Sequence, residues 1–287
     1  MDVEPIEVSR RGSAGLSWLT ATRAPHPGLS SYVSGYCGYA EHADLPVRRR
    51  QVANAQVALI FSFGDSIDLV SMTNCRRPTG RFRSFVAGFH AGHSTTEYIG
   101  RQRGVQVNLA PLGVYRLLGI PASELANQVI SVDDLPGTKL TDLADRLAWA
   151  PDWHARFELL DRALLSWADE GSAADPAVTW AWNQLKRSHG EVTVGKLSDE
   201  IGWSRRHFVA RFRQQVGIPP KPCGRVLRFD HAVRLLKGQD SSSITDIAAL
   251  CGYADHSHMN RDFRLLAGYT PSDHLAALQS EAGRIAG

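Results

Sequence analysis

The chain lacks any uninterrupted apolar run of the roughly 18 residues that a membrane-spanning helix requires. Its opening stretch, MDVEPIEVSRRGSAG, puts acidic side chains ahead of basic ones and holds no apolar core segment, so it does not read as a secretory signal. Cysteine is sparse. Cys37, Cys75, Cys223 and Cys251 are scattered, with no C-x-x-C pair. That spacing argues against a zinc ribbon, a thioredoxin-type site and a disulfide framework, and it predicts a reducing, cytoplasmic setting. Strand signals are missing beyond Asp175, so the last part of the chain is expected to be wholly helical.

What is present suffices for more than one core. The length of 287 residues favours two domains, and a hydrophobic content of 43% excludes a disordered tail. The formal net charge of +3 conceals a local block. Residues 186–237 carry twelve Lys and Arg against four Asp and Glu, whereas the final fifty residues carry three against six. A basic block of that density fits an acidic partner such as nucleic acid, although a solvated basic face has the same composition.

Short runs rich in Val, Ile, Phe and Tyr punctuated by turn residues fill the first part: LSWLTATR, SYVSGYCGYA, QVALIFSFG, IDLVSM, FRSFVAGF and GVQVNLAP. They predict an antiparallel sheet or small barrel. From about Val114 the period turns helical, in VYRLLG and ASELANQV. LTDLADRLAWA and DWHARFELLDRALLSWADEG follow, the latter with a stripe of Trp153, Phe157, Leu160, Leu164 and Trp167. Asp152 is placed to cap that helix and Gly171 to end it. The stripe serves either dimerisation or packing on the chain's own sheet. EGSAADP reads as a linker, and Asp175 followed by Pro176 starts a new helix. Arg48–Arg50 reads as a solvated turn.

The C-terminal part contains one unit used twice. Leu197, Ile201, Gly202 and Trp203 match Ile247, Cys251, Gly252 and Tyr253 at a spacing of 50 residues. After a one-residue insertion, Phe208, Phe212, Gly217 and Pro220 match Met259, Phe263, Gly268 and Pro271 at 51. Each copy is a short helix, a glycine where the chain must turn left-handed, an aromatic over the corner, a capping Ser204 or Asp255, and a second helix with an apolar i, i+4 pair. This is the helix-turn-helix pattern, whose second helix enters the DNA major groove. The stretch Cys251–Phe263, CGYADHSHMNRDF, holds a cysteine, two histidines and two aspartates. The repeat reinterprets this apparent metal site as an apolar back, with Cys251 in the place of Ile201, and a DNA-facing front.

Through Ile244, Asp246, Ile247, Ala248, Gly252, Tyr253, Asp255, Ser257, Arg261, Phe263, Gly268, Thr270 and Pro271, the second copy resembles the signature of the AraC/XylS family of bacterial transcription regulators. The likeness spans about residues 175–280 and includes RVLRFDHAVRLLKG, similar to the helix that joins the two units in that family. It implies a two-domain α+β protein: a β-rich, cupin-like small barrel with helices over 1–135, helical connecting segments over 136–174, and an all-α double helix-turn-helix domain over 175–280. The two units are expected at about 194–215 and 244–266. A looser resemblance of residues 105–135 to an uncharacterised N-terminal domain of such regulators names no ligand. The implied partners are double-stranded operator DNA, RNA polymerase, a small-molecule effector and a second copy of the chain. No cofactor or metal is expected.

The expected DNA-facing residues are Arg205, Arg206, Val209, Ala210 and Arg213 in the first unit, and His256, Ser257, Asn260 and Arg261 in the second. Arginine suits guanine, asparagine suits adenine, and small apolar groups meet the thymine methyl. The family pattern favours Arg206, Val209, Ala210, Ser257 and Arg261 as base readers and Arg205 as a phosphate contact. His207 is expected to be structural. His256 and His258 stay open as DNA contacts with a pH-sensitive charge.

Competing enzyme readings rest on GFHAGHSTTEYIG, whose His90, His93 and Glu97 loosely imitate a cupin metal motif. Histidines three apart fall on opposite faces of a regular strand, and only a bulge at Gly92 would repair this. Polar loop histidines are the simpler reading. A DNA-alkylation repair activity would need cysteine ligands that Cys37 and Cys75 do not provide. An architectural DNA binder without a sensor role is the third alternative.

Overall fold

The computed structural model describes residues 5–13, 15–75, 77–238 and 243–276. The N-terminal region is built from β1 (Glu7–Ser13), β2 (Leu16–Arg23), β3 (Val33–Gln51), β4 (Val57–Ser62), β5 (Ile67–Met72), β6 (Gly80–Phe82), β7 (Phe85–Ala87) and β8 (Ser94–Leu109). Helices α1 (Pro111–Leu118) and α2 (Ala122–Leu125), strand β9 (Val129–Ser131), and helices α3 (Lys139–Trp149) and α4 (Trp153–Glu170) complete it.

The described strands form one antiparallel sheet in the order β1-β2-β3-β8-β4-β7-β9, with β5 branching from β8 and β6 paired to β5. Strand β8 organises it. One side pairs with β3, whereas the other is shared between β5 at Ser94–Glu97 and β4 at Gly104–Leu109. Sharing one side between two short strands bends and splits the sheet, so it stays open where a closed small barrel was expected. The polar strand β1, EVSRRGS, has no apolar alternation to bury and terminates one edge.

Arg48–Arg50 is not a turn. It lies in the second half of β3, beyond a register shift between Ala43 and Val47 that contains Pro46, a residue unable to donate to a ladder. Ion pairs, one across to β8 and one within β3, hold this half in place of apolar packing. Arg48 pairs with Glu97 on β8, and Arg49 Nη2 lies 2.8 Å from Glu41.

The stripe on α4 is spent within the chain. Phe157, Leu160 and Leu164 have no exposure and Trp167 is buried. Asp161 on the same helix accepts from Arg23, from Tyr36 Oη at 2.8 Å and from His26 N–H at 2.9 Å, clamping the helix to β2 and β3. Gly38 makes this approach possible, because a Cβ there would lie 2.5 Å from the Trp153 ring. Asp152 caps α4 by accepting from Ala155 N–H. Gly171 ends it in an extended conformation (φ −76°) rather than a left-handed one.

The C-terminal region contains helices α5 (Pro176–Arg187), α6 (Val194–Ile201), α7 (Arg205–Val216), α8 (Pro220–Lys237), α9 (Ile244–Leu250) and α10 (His256–Ala267), and no strand among its described residues. A further helical turn begins at residues 271–276. Asp175 caps α5 through Ala177 N–H, with Pro176 in its first turn. Helix α8, about 27 Å long at 1.5 Å per residue, separates α6–α7 from α9–α10.

Candidate nucleic-acid interface

Each unit is set by its own caps. In the first, Thr193 accepts from Lys196 N–H, and α6 ends at Gly202 in the left-handed region (φ +76°). Trp203 N–H then closes onto Ser198 carbonyl at 3.0 Å. Ser204 caps α7 by accepting from His207 N–H. The second unit repeats this. Ser243 and Asp246 form a reciprocal capping box on α9, Gly252 turns left-handed (φ +68°), Tyr253 N–H closes onto Ala248 carbonyl at 3.0 Å, and Asp255 caps α10 through His258 N–H.

The caps fix which face of each second helix is buried. Phe208 and Phe212 on α7, and Met259 and Phe263 on α10, have no exposure. The opposite faces present the expected contact residues. Arg205, Arg206, Ala210 and Arg213 are exposed on α7, and His256, Ser257 and Arg261 on α10. Val209 and Asn260 are half-buried, and Val209 packs against the core. Among the described residues no carboxylate lies within ion-pair reach of Arg205, Arg206, Arg213 or Arg261. Arg213 stands apart from the others, at a recess it shares with Asn74, Glu124, Asn127 and Gln128. His207 is exposed, and its ring meets Trp203 edge-on at 4.6 Å.

His258 is half-buried, edge-on to Tyr253 at 5.2 Å, with Nε2 4.0 Å from Asp262. Asp262 is itself buried and lies 3.4 Å from Arg225 of α8. Burial pushes its carboxyl above the ordinary carboxylate value, against the pull of Arg225. Arg228, one turn further along α8, lies over the Tyr253 ring at 5.5 Å. The second unit is thus braced on α8 by two arginines that the periodicity did not single out.

Cys251 is 1% exposed, and burial pushes its thiol up to about 11. A protonated, buried thiol is a packing group, matching the role of Ile201. Among the described residues no three His, Cys, Asp or Glu side chains gather as a metal cluster. His90, His93 and Glu97 diverge. His90 Nδ1 lies 3.1 Å from Gly88 carbonyl, His93 Nδ1 lies 3.2 Å from Leu265 carbonyl, and Glu97 pairs with Arg48.

The contact from His93 belongs to a seam between the two regions. A helix leaves its last carbonyls without partners of its own. At the end of α10 three such groups are taken by the N-terminal region: Leu265 carbonyl by His93 Nδ1, Leu266 carbonyl by Ala53 N–H at 2.9 Å, and Gly268 carbonyl by Arg50 Nη1 at 3.2 Å. Gly268 is left-handed (φ +76°) and directly beneath His93, whose Nε2 would lie 2.9 Å from an added Cβ. Helix α7 is seated similarly. It packs on α1 and α2, and Gly217 at its end adjoins Ala122.

Two capped two-helix units, each with an aromatic or thioether back and a polar, cationic front, joined by one long helix, define a double helix-turn-helix DNA-binding module. The family model for a helix-turn-helix domain matches residues 197–277, and a model for a domain of unknown function, DUF6597, matches residues 21–131. The C-terminal module is thus similar to those of helix-turn-helix transcription regulators, in keeping with its resemblance to the AraC/XylS signature. The chain is 30% identical over 115 residues to the HTH-type transcriptional activator RhaS of Escherichia coli, across 40% of this chain and 41% of RhaS. The chain therefore spans less than half the length of the curated relatives it matches. Among solved structures, ToxT from Vibrio cholerae O395 aligns over 93% of this chain and 99% of its own, at 11% identity and a TM-score of 0.47. The DNA-binding domain of AdpA in complex with a target DNA aligns over 37% and 91%, at 30% identity and a TM-score of 0.33. Among the described residues no helix is long and apolar enough to cross a membrane.

Proposed function

We propose that the protein is a sequence-specific transcription regulator. In this reading residues 175–280 bind operator DNA, residues 1–135 sense a small molecule, and residues 136–174 connect the two. The observation that carries it is the pair of polar helix faces, with no carboxylate within ion-pair distance of Arg205 and Arg206 on α7 or of Arg261 on α10 among the described residues. Arg206, Ala210, Ser257 and Arg261 read bases, with Val209 at the edge of the contact. Arg205 anchors a phosphate, its guanidinium lying over Gly195 of α6. Asn260 and His256, whose side chains approach each other at 3.5 Å, act together at the second half-site. Arg213, at its recess beside α2, serves the seam as much as the DNA.

RNA polymerase is the partner a regulator of this kind engages. The burial of the α4 stripe leaves homodimerisation to another surface. An enzymatic role is disfavoured by the separate engagements of His90, His93 and Glu97. Selection of bound fragments from random duplex DNA by the full chain tests the reading. It should enrich a motif with two half-sites about one helical turn, roughly 10 base pairs, apart. Retention of DNA without any enriched sequence would refute it.

A further inference from the structure

A cavity of about 150 Å³ lies against the sheet. Ile60, Leu69, Phe82 and Phe85 form much of its wall, and Phe82 and Phe85 stand as a tilted ring pair 5.7 Å apart. The size is that of a single six-membered ring, since an apolar cavity of this volume accepts benzene. Gln51, Asn54, His90, Ser94, Thr96 and Gln106 supply the polar part of the wall, and among them His90 holds a buried atom without a partner. His90 is 8% exposed, and its Nε2 has no hydrogen-bond partner. A carbonyl can only accept, so the contact with Gly88 carbonyl places the ring proton on Nδ1. Burial lowers the tendency of the ring to take a second proton. Nε2 is therefore a buried acceptor lacking a donor, a costly group that a bound molecule would satisfy.

We propose that this cavity is the effector site, resting on the sensor reading above, and that it takes a compact, uncharged ring compound carrying one hydroxyl or N–H donated to His90 Nε2. At His90 a carboxylate is disfavoured, because a neutral Nε2 offers it no proton, and the wall brings no charged side chain to balance an anion. The site is wired to the DNA-binding module by chain continuity. Val52 and Asn54 line the cavity and flank Ala53, whose N–H holds Leu266 carbonyl. Ser94 lines it and follows His93, which holds Leu265 carbonyl. A ligand that shifts either wall shifts a group that completes α10.

Calorimetric titration of the full chain with phenol, toluene and benzoate separates the chemistries. Phenol should bind about tenfold more tightly than toluene, the ratio expected for one hydrogen bond to an otherwise unpaired buried acceptor. His90→Leu should equalise the two, while His90→Gln, which keeps an acceptor, should retain a phenol preference. Should His90→Leu not fold, the wild-type ratio and His90→Gln decide the matter. Toluene or benzoate binding the wild type as tightly as phenol, or no binding by any of the three, overturns the proposal. Operator binding without added ligand is measured in parallel, so a failure here is distinct from a failure of the DNA-binding reading.

Discussion

Replacing Gly268 by alanine perturbs the seam at its narrowest point, and Gly202 supplies a matched control. Both glycines hold φ +76° at the end of a helix. Each substitution places a side chain in the left-handed region, at about 1–2 kcal/mol. A Cβ at Gly202 meets nothing within 4 Å, so that strain is its whole effect. A Cβ at Gly268 meets the His93 ring at 2.9 Å and must displace it, breaking the contact to Leu265 carbonyl. A part-buried group left unpaired there adds about 1–3 kcal/mol. Gly268→Ala should therefore exceed Gly202→Ala by about 1–3 kcal/mol in urea unfolding followed by circular dichroism, read as the shift in midpoint at constant slope. Equal losses, within about 0.5 kcal/mol, would show that the seat of His93 on α10 adds nothing to stability.

Three further outcomes follow from the same geometry. Arg206→Ala should weaken operator binding by about 1–3 kcal/mol and more than Arg261→Ala, because α7 lies in the basic block; salt-titrated binding in which Arg261→Ala costs as much or more would contradict this. His90 and His231 are held neutral, chiefly by burial, below their ordinary value of 6.5. The unfolded chain takes up protons there before the folded one does, so stability is full above about pH 6.5 and declines below it. The fall in melting temperature between about pH 7.5 and 5.5 should be smaller in His231→Asn; an identical fall would exclude His231 as a contributor. Asp255→Ala removes the N-cap of α10 and should cost about 1 kcal/mol by chemical denaturation, and no loss would mean that water caps this helix equally well.

The C-terminal architecture was legible because its determinants are local. Caps at Ser204 and Asp255, turns at Gly202 and Gly252, and apolar pairs at i, i+4 each act within a few residues, and duplication made them visible twice. Strands with apolar alternation were equally plain: β2 and β5 coincide with LSWLTATR and IDLVSM. The second half of β3 and the first half of β8 were not, because they are held by pairs such as Arg48 with Glu97, whose partners are 49 residues apart. Strand β1 has no apolar alternation, Val8 being its single large apolar side chain. At the candidate site the exposed face of each second helix followed from helical period. The supports at Arg225, Arg228, Arg50, Ala53 and His93 reach it from elsewhere in the chain, and no spacing rule connects them to it. His93 attracted notice for metal chemistry, and its actual engagement is with a helix end 172 residues away.

The capping of α10 by Arg50, Ala53 and His93 bears on modularity. A chain cut at the linker before Asp175 would release a C-terminal piece with all of its sequence motifs and three orphaned carbonyls at the end of α10. Such a fragment would fray at that point and depart from the behaviour of the same residues in the intact protein. The unit legible in the sequence motifs and the unit whose hydrogen bonds are complete therefore have different borders: the former stops short of the N-terminal sheet, and the latter runs into it.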